Sequence, residues 1–139
     1  MISTIEKVIF LKDVDLFKGI SGEEVHHIAA ITEELEYPPD YSVVTEGESG
    51  HALYLIIAGQ VQVHIKGQEL ALLGPKDCFG EMALLDEEPR SATVSALSEL
   101  HVLRITQSDF FEILTEKPEI SRGIIKTLTQ RLRETNLKR

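Results

Sequence analysis

The chain has 139 residues, 42% of them apolar and 27% charged, with nine glycines and five prolines. This is enough to bury one core without disulfide or metal staples, and it excludes a disordered or fibrous chain. The net charge of −9 is uneven: the last 23 residues hold seven basic and two acidic groups, the 116 before them seven basic and 21 acidic, so the acidic body repels a phosphate backbone and is not expected to bind nucleic acid directly, while the basic tail could meet nucleic acid or a membrane surface.

The first element predicted is a short amphipathic helix over residues 2–11, with Ile2, Ile5, Val8 and Ile9 as its apolar spacing. Gly19 marks a turn. Ser21 and Glu24 form a capping box that opens a helix over 22–31, burying Val25, Ile28 and Ile31. From Leu35 the pattern becomes strand-like. Pro38-Pro39-Asp40 is a turn, and strands follow at 42–45, 52–57, 61–65 and 70–73, separated by Gly-containing breaks. Two more strands are predicted at 92–97 and 100–105. Thr106 and Asp109 start a helix that Pro118 ends, and Pro118 suits the first turn of the next. In that last helix Ile120, Ile124, Leu128 and Leu132 form one stripe, running to about Leu137. Its basic residues suit the macrodipole of a helix C-terminus.

The fold class expected is mainly β with flanking α: an antiparallel β-roll or jelly-roll barrel, N-terminal helices, a short phosphate-binding helix and a long C-terminal helix. One domain is expected over 1–139, with N-terminal helices to 34, the roll at 35–105 and C-terminal helices at 106–139. No apolar run reaches the ~18 residues of a membrane span, and the N-terminus lacks a signal-peptide layout. The single cysteine, Cys78, rules out an internal disulfide. A cytoplasmic location is the expectation.

The segment at 79–94 has the parts of an anion site. Gly80 permits a tight turn with close backbone approach. Residues 81–85 lack a breaker and suit a short helix whose N-terminal amides cradle an anion. Arg90, the only basic residue between Lys76 and Arg104, offers a planar fork of donors suited to phosphate. Ser91 adds a hydroxyl, and Glu81 is an acceptor suited to a sugar hydroxyl. The plainer alternative is a surface pairing of Arg90 with Asp86 or Glu87.

Phe79-Gly80-Glu81-Met82-Ala83-Leu84 followed by Pro89-Arg90-Ser91-Ala92-Thr93-Val94 resembles the phosphate-binding cassette of the cyclic nucleotide-binding domain family. An earlier stretch, Val43 to Gly50 through Leu53-Tyr54-Leu55-Ile56 to Gly59, is similar to another of its motifs. The closest likeness is to the sensor domain of bacterial catabolite activator-type regulators. The resemblance implies that Glu81 accepts the ribose 2′-hydroxyl and Arg90 pairs with the cyclic phosphate. The amides of Ala83 and Ala92 and the Ser91 hydroxyl would complete the cradle, with Gly80 against the ribose and Met82 within the binding segment. Val63 and Leu70 match positions that line the base, and Thr135-Asn136 falls where a Thr-Ser pair reaches it. No cofactor and no metal are implied. The ligand would be cAMP, with cGMP as the alternative base.

Lys76 stands where the family often has glycine, so the turn there is expected to differ. The activator branch carries a helix-turn-helix after this point, and its absence leaves the effector, in cis or in trans, open. Ile124, Ile125, Leu128 and Leu132 offer a homodimer seam. An enzyme is not expected: the five histidines include no H-x-H pair, and hydrolysis would need a metal or a base aimed at water. The alternative to a sensor is a degenerate member of the fold, serving as a protein interaction module without nucleotide.

Overall fold

The computed structural model describes residues 1–80 and 89–137. In chain order they form α1 (Thr4–Lys12), a 3₁₀ turn (Asp15–Phe17), α2 (Gly22–Ala30), β1 (Glu33–Tyr37), β2 (Ser42–Val44), β3 (Ala52–Ala58), β4 (Val61–Ile65), β5 (Gln68–Leu73), β6 (Cys78–Phe79), β7 (Thr93–Ala96), β8 (Leu100–Thr106), α3 (Gln107–Glu116) and α4 (Pro118–Leu137). The chain divides into two compact units: a β unit, Thr32–Phe110, and a helical unit, Met1–Ile31 with Phe111–Arg139.

The β unit holds two four-stranded sheets, ordered β1-β8-β3-β6 and β2-β7-β4-β5, with antiparallel pairings throughout. The chain passes repeatedly from one sheet to the other, which is the roll expected from the strand spacing. The inward side chains include Ala52, Tyr54, Ile56, Val61, Phe79, Val94, Ala96, Leu100 and Val102, a single buried cluster. All six strands read from the sequence are present. β1 (Glu33–Tyr37) is not among them: it begins two residues before Leu35, where the pattern changes, and its sequence EELEY puts only Leu35 and Tyr37 against the core. β6 is two residues long, too short to leave a pattern.

Three non-glycine residues among those described are left-handed: Asp40, Lys66 (φ 52°, between β4 and β5) and Lys76. Asp40 has φ 70° in the Pro-Pro-Asp turn, and Lys76 has φ 75°. The Lys76 amide donates to Ile56 O at 2.9 Å, and Gly74 N donates to the Asp77 carboxylate at 2.9 Å. Lysine thus occupies a conformation natural to glycine, at a cost of about 1–2 kcal/mol, where the sequence suggested an altered turn.

In the helical unit the Ser21/Glu24 capping box is formed and α2 buries Val25, Ile28 and Ala29. Ile31, expected inside, is the C-cap and is half-buried. An equivalent Ser3/Glu6 box starts α1 and was not anticipated. The apolar face expected for α1 is corrected: Ile5 and Ile9 are 73% and 62% exposed, while Leu11 is fully buried. With nine residues, the helix has room for few inward positions, and Leu11 takes the one that is completely covered. α4 starts at Pro118 as expected. It crosses the turn after Asp15–Phe17 at a pair of glycines, where a Cβ on Gly123 would lie 2.7 Å from Gly19 O. Arg131 pairs with Asp15, with Nε donating to Oδ2 at 2.8 Å.

Candidate functional site

Arg90 lies just before β7, and its backbone is fixed on both sides by the loop after β2. Arg90 N donates to Glu48 O and Gly47 N donates to Arg90 O, each at 2.8 Å. Three residues on, the buried Thr93 accepts from Glu46 N at 3.0 Å, and the Glu46 carboxylate accepts from Lys66 N at 2.8 Å. The loop, the start of β7 and the β4–β5 hairpin are therefore one hydrogen-bonded frame. Within it the Arg90 side chain turns toward β3, where Nη2 donates to Ala52 O at 3.0 Å.

Two glycines make room for that side chain. Gly80 has φ 85°, and a Cβ there would lie 2.7 Å from both Ala52 O and Arg90 Nη1. A Cβ on Gly50 would overlap Arg90 Nε and Cζ. At Gly80, read from the sequence as a tight turn with close backbone approach, the approach is to Ala52 O and the Arg90 guanidinium. The one at Gly50 was not foreseen, because in the sequence Gly50 reads only as the end of a loop.

Arg90 lines a cleft of about 310 Å³, together with Thr45, Ser49, His51, Tyr54, Arg104 and Thr106 among others. Its two guanidinium groups outnumber its one acidic residue, Glu48, and with its volume, hydroxyls and aromatic ring suit a small anionic ligand. Arg104 pairs with Glu33, Nη2 to Oε2 at 2.9 Å. Burial works against the Arg104 charge, but hydrogen bonds to Glu33 and Tyr54 outweigh it and hold the guanidinium above its ordinary value. Tyr54 stacks on Phe79, ring centres 5.0 Å apart. Burial, reinforced by Tyr54, pushes the Tyr37 phenol up. A second cleft of about 470 Å³ is larger but is lined by Glu36, Glu99 and His101, with His101 Nε2 2.6 Å from the Glu34 carboxylate. Its acidic lining disfavours a phosphate.

The structure brings Gly80 and Arg90 together. Ser91 is exposed beside Arg90, and Ala92 is half-buried. Val63 packs against the core cluster from β4. Leu70, on edge strand β5, is 58% exposed and falls at a bulge, where Val63 pairs with Ala71 and His64 with Glu69. Thr135 and Asn136 are exposed near the end of α4, in the helical unit, and the Thr135 hydroxyl donates to Arg131 O at 3.0 Å. Glu81, Met82 and Ala83, with the predicted short helix, lie outside the described residues. Sequence reasoning missed Arg104, although a charged residue within the apolar strand Val102-Leu103-Arg104-Ile105 is the signal that could have found it. His64 faces away from the core, 3.1 Å from Ser95 Oγ. Among the described residues no group of three His, Cys, Asp or Glu side chains is placed to hold a metal ion. No helix among them is long and apolar enough to cross a membrane.

A family profile described as "Cyclic nucleotide-binding domain" matches residues 34–117. The Cyclic AMP receptor protein of Thermus thermophilus is 36% identical over 132 residues, 91% of this chain and 61% of that protein. The cAMP-dependent protein kinase regulatory subunit of Yarrowia lipolytica is 36% identical over 107 residues, 76% of this chain and 28% of the relative. The N-terminal domain of a transcriptional regulator from Streptomyces coelicolor superposes with a TM-score of 0.82 at 30% identity, covering 88% of this chain and 89% of that one. The chain spans less than two thirds of the length of either curated relative.

Proposed function

Because the chain belongs to the cyclic nucleotide-binding domain family, we propose that residues 1–139 act as one regulatory domain that binds a 3′,5′-cyclic nucleotide, cAMP in preference to cGMP, and signals by repositioning its C-terminal helix. The observation that carries this reading is Arg90, fixed through its backbone by Gly47 and Glu48 and through its guanidinium by Ala52 O. A cation held this way needs little reorganisation to meet a phosphate. The preference for cAMP is supported by relatives named for that nucleotide.

In this proposal the cyclic phosphate meets Arg90, the Ser91 hydroxyl and the amides of Ala83 and Ala92. Glu81 accepts the ribose 2′-hydroxyl, Gly80 lies against the sugar and Met82 belongs to the same binding segment. Val63, Leu70, Thr135 and Asn136 take the base. These groups bind and orient, and the curated relatives are regulators, so no catalytic step is assigned. Ligand can change the arrangement of α4 only by binding one arrangement more tightly than another. A downstream domain or protein, in cis or in trans, would sense that shift. Ile124, expected in the homodimer seam, is buried within the chain, so the exposed Ile125, Leu128 and Leu132 on α4 are the face assigned to a second copy of the chain, and the cytoplasm is the compartment proposed.

Calorimetric titration of nucleotide-stripped protein with cAMP and cGMP tests the reading. Micromolar binding corresponds to about −8 kcal/mol. Arg90→Ala removes the charge partner of a desolvated phosphate and should cost about 2–5 kcal/mol. No heat with either nucleotide from folded protein would favour the interaction module. Unchanged hydrogen exchange in α4 on saturation would sink the signalling step while leaving binding intact.

A further inference from the structure

Among the glycines of the loop after β2, Gly50 stands apart. A Cβ at Gly47 meets nothing within 4 Å, and Gly47 is glycine for its φ of 83°. Gly50 has no left-handed φ, so its backbone would accept alanine. The three nearest atoms to a Cβ there all belong to one group: Nε, Cζ and Nη2 of Arg90, the last at 2.5 Å. Gly80 differs, because its Cβ would also strike a backbone atom, Ala52 O, and its φ is left-handed. The Arg90 Nε is buried in this slot.

We infer that Gly50 is a positioning residue for Arg90: its missing side chain is the space through which the guanidinium reaches Ala52 O, and any Cβ at 50 evicts that group from the cleft. The colliding atoms are the far end of a flexible side chain, so the protein has an inexpensive escape. Arg90 swings out, and the frame formed by Gly47, Glu48, Thr93 and Lys66 stays intact. Gly50→Ala therefore displaces the phosphate-binding cation without substituting any residue of the cassette or the core. The affinity arm of the test below rests on the cyclic nucleotide reading; the exchange arm does not.

The experiment compares Gly50→Ala, Arg90→Ala and the double variant by hydrogen exchange at the Arg90 Nε–H, assigned by its loss in Arg90→Ala, and by cAMP titration. Gly50→Ala should keep its thermal midpoint and speed Nε–H exchange at least about tenfold. It should also weaken cAMP binding at least about tenfold, equivalent to about 1.4 kcal/mol. Added to Arg90→Ala, it should change affinity by less than about twofold, since the clash partner is already gone. Unchanged Nε–H exchange, or an equal affinity loss in both backgrounds, overturns the inference. If the parent chain binds neither nucleotide, the binding proposal falls and the exchange result alone decides the slot. Should Gly50→Ala fail to fold, refolding in the double variant supports the slot, and unfolding in both backgrounds refutes it.

Discussion

Strand β3 buries five consecutive residues, Ala52 through Ile56, whereas α4 buries Ile120, Gly123, Ile124 and Thr127 and then exposes every residue from Leu128 to Leu137. Both segments carry regular apolar patterns. The difference lies in where each satisfies its backbone. A strand finds its hydrogen-bond partners on neighbouring strands, so β3 exists only as far as β8 and β6 flank it. A helix satisfies its amides internally and can run past whatever covers it, carrying its stripe into solvent. Periodicity therefore reports burial reliably for the strand and only half of it for the helix.

The comparison can be broken most directly at Ile56, fully buried in the core of the β unit. Ile56→Ala should cost about 2–5 kcal/mol, from lost transfer energy and the cavity left behind. Tyrosine fluorescence is the suitable probe, because all three tyrosines, at 37, 41 and 54, lie in the β unit and the chain has no tryptophan. A loss below about 1 kcal/mol would mean that β3 is less committed than its burial indicates.

The packed half of α4 is probed by Gly123→Ala. A Cβ there meets Gly19 O at 2.7 Å and Ile20 Cγ2 at 3.0 Å. Overpacking costs about 1–3 kcal/mol and alanine returns about 1 kcal/mol of helix propensity, so a net loss of up to about 2 kcal/mol is expected. It should appear in the ellipticity at 222 nm, which follows the helices, before it appears in tyrosine fluorescence. A variant as stable as the parent would show that the glycine contact can open freely.

A smaller effect is expected at Lys76. Lys76→Gly relieves the left-handed strain but adds freedom to the unfolded chain, for a net gain of about 0.5–1 kcal/mol. Denaturation followed by tyrosine fluorescence would detect it, and a loss of stability would show that the lysine side chain contributes more than its backbone strain removes.

What was legible in the sequence follows the same physics. Val61 through Ile65 and Leu100 through Ile105 announced themselves because β-branched and aliphatic residues alternate between turn signals. β1 did not, because Glu33, Glu34 and Glu36 dominate it and only pairing with β8 makes it a strand. Helix α1 was legible as a helix but not in its orientation, since Ile5 and Ile9 look inward by spacing and are exposed. At the site, Gly80 and Arg90 were legible because their chemistry is local. Gly50 and Arg104 were not: one acts by having no side chain beside a residue forty positions away, and the other by crossing to Glu33 on a neighbouring strand.

The exposed half of α4 yields the smallest expected effect and the sharpest distinction. Leu132 is 62% exposed, so in an isolated chain Leu132→Ala should change stability by no more than about 0.5 kcal/mol, with alanine slightly favoured as a helix former. If a second copy covers this face, the parent chain gains stability with concentration because association is linked to folding, and the variant loses that gain. Melting both proteins across a hundredfold range of concentration separates the cases. Parallel, concentration-independent curves mean that the stripe beyond Ile124 is free and the dimer assignment fails. A parent midpoint that rises with concentration while the variant's stays fixed means that α4 ends its burial at Thr127 only within one chain, and that its remaining apolar side chains complete their packing across two.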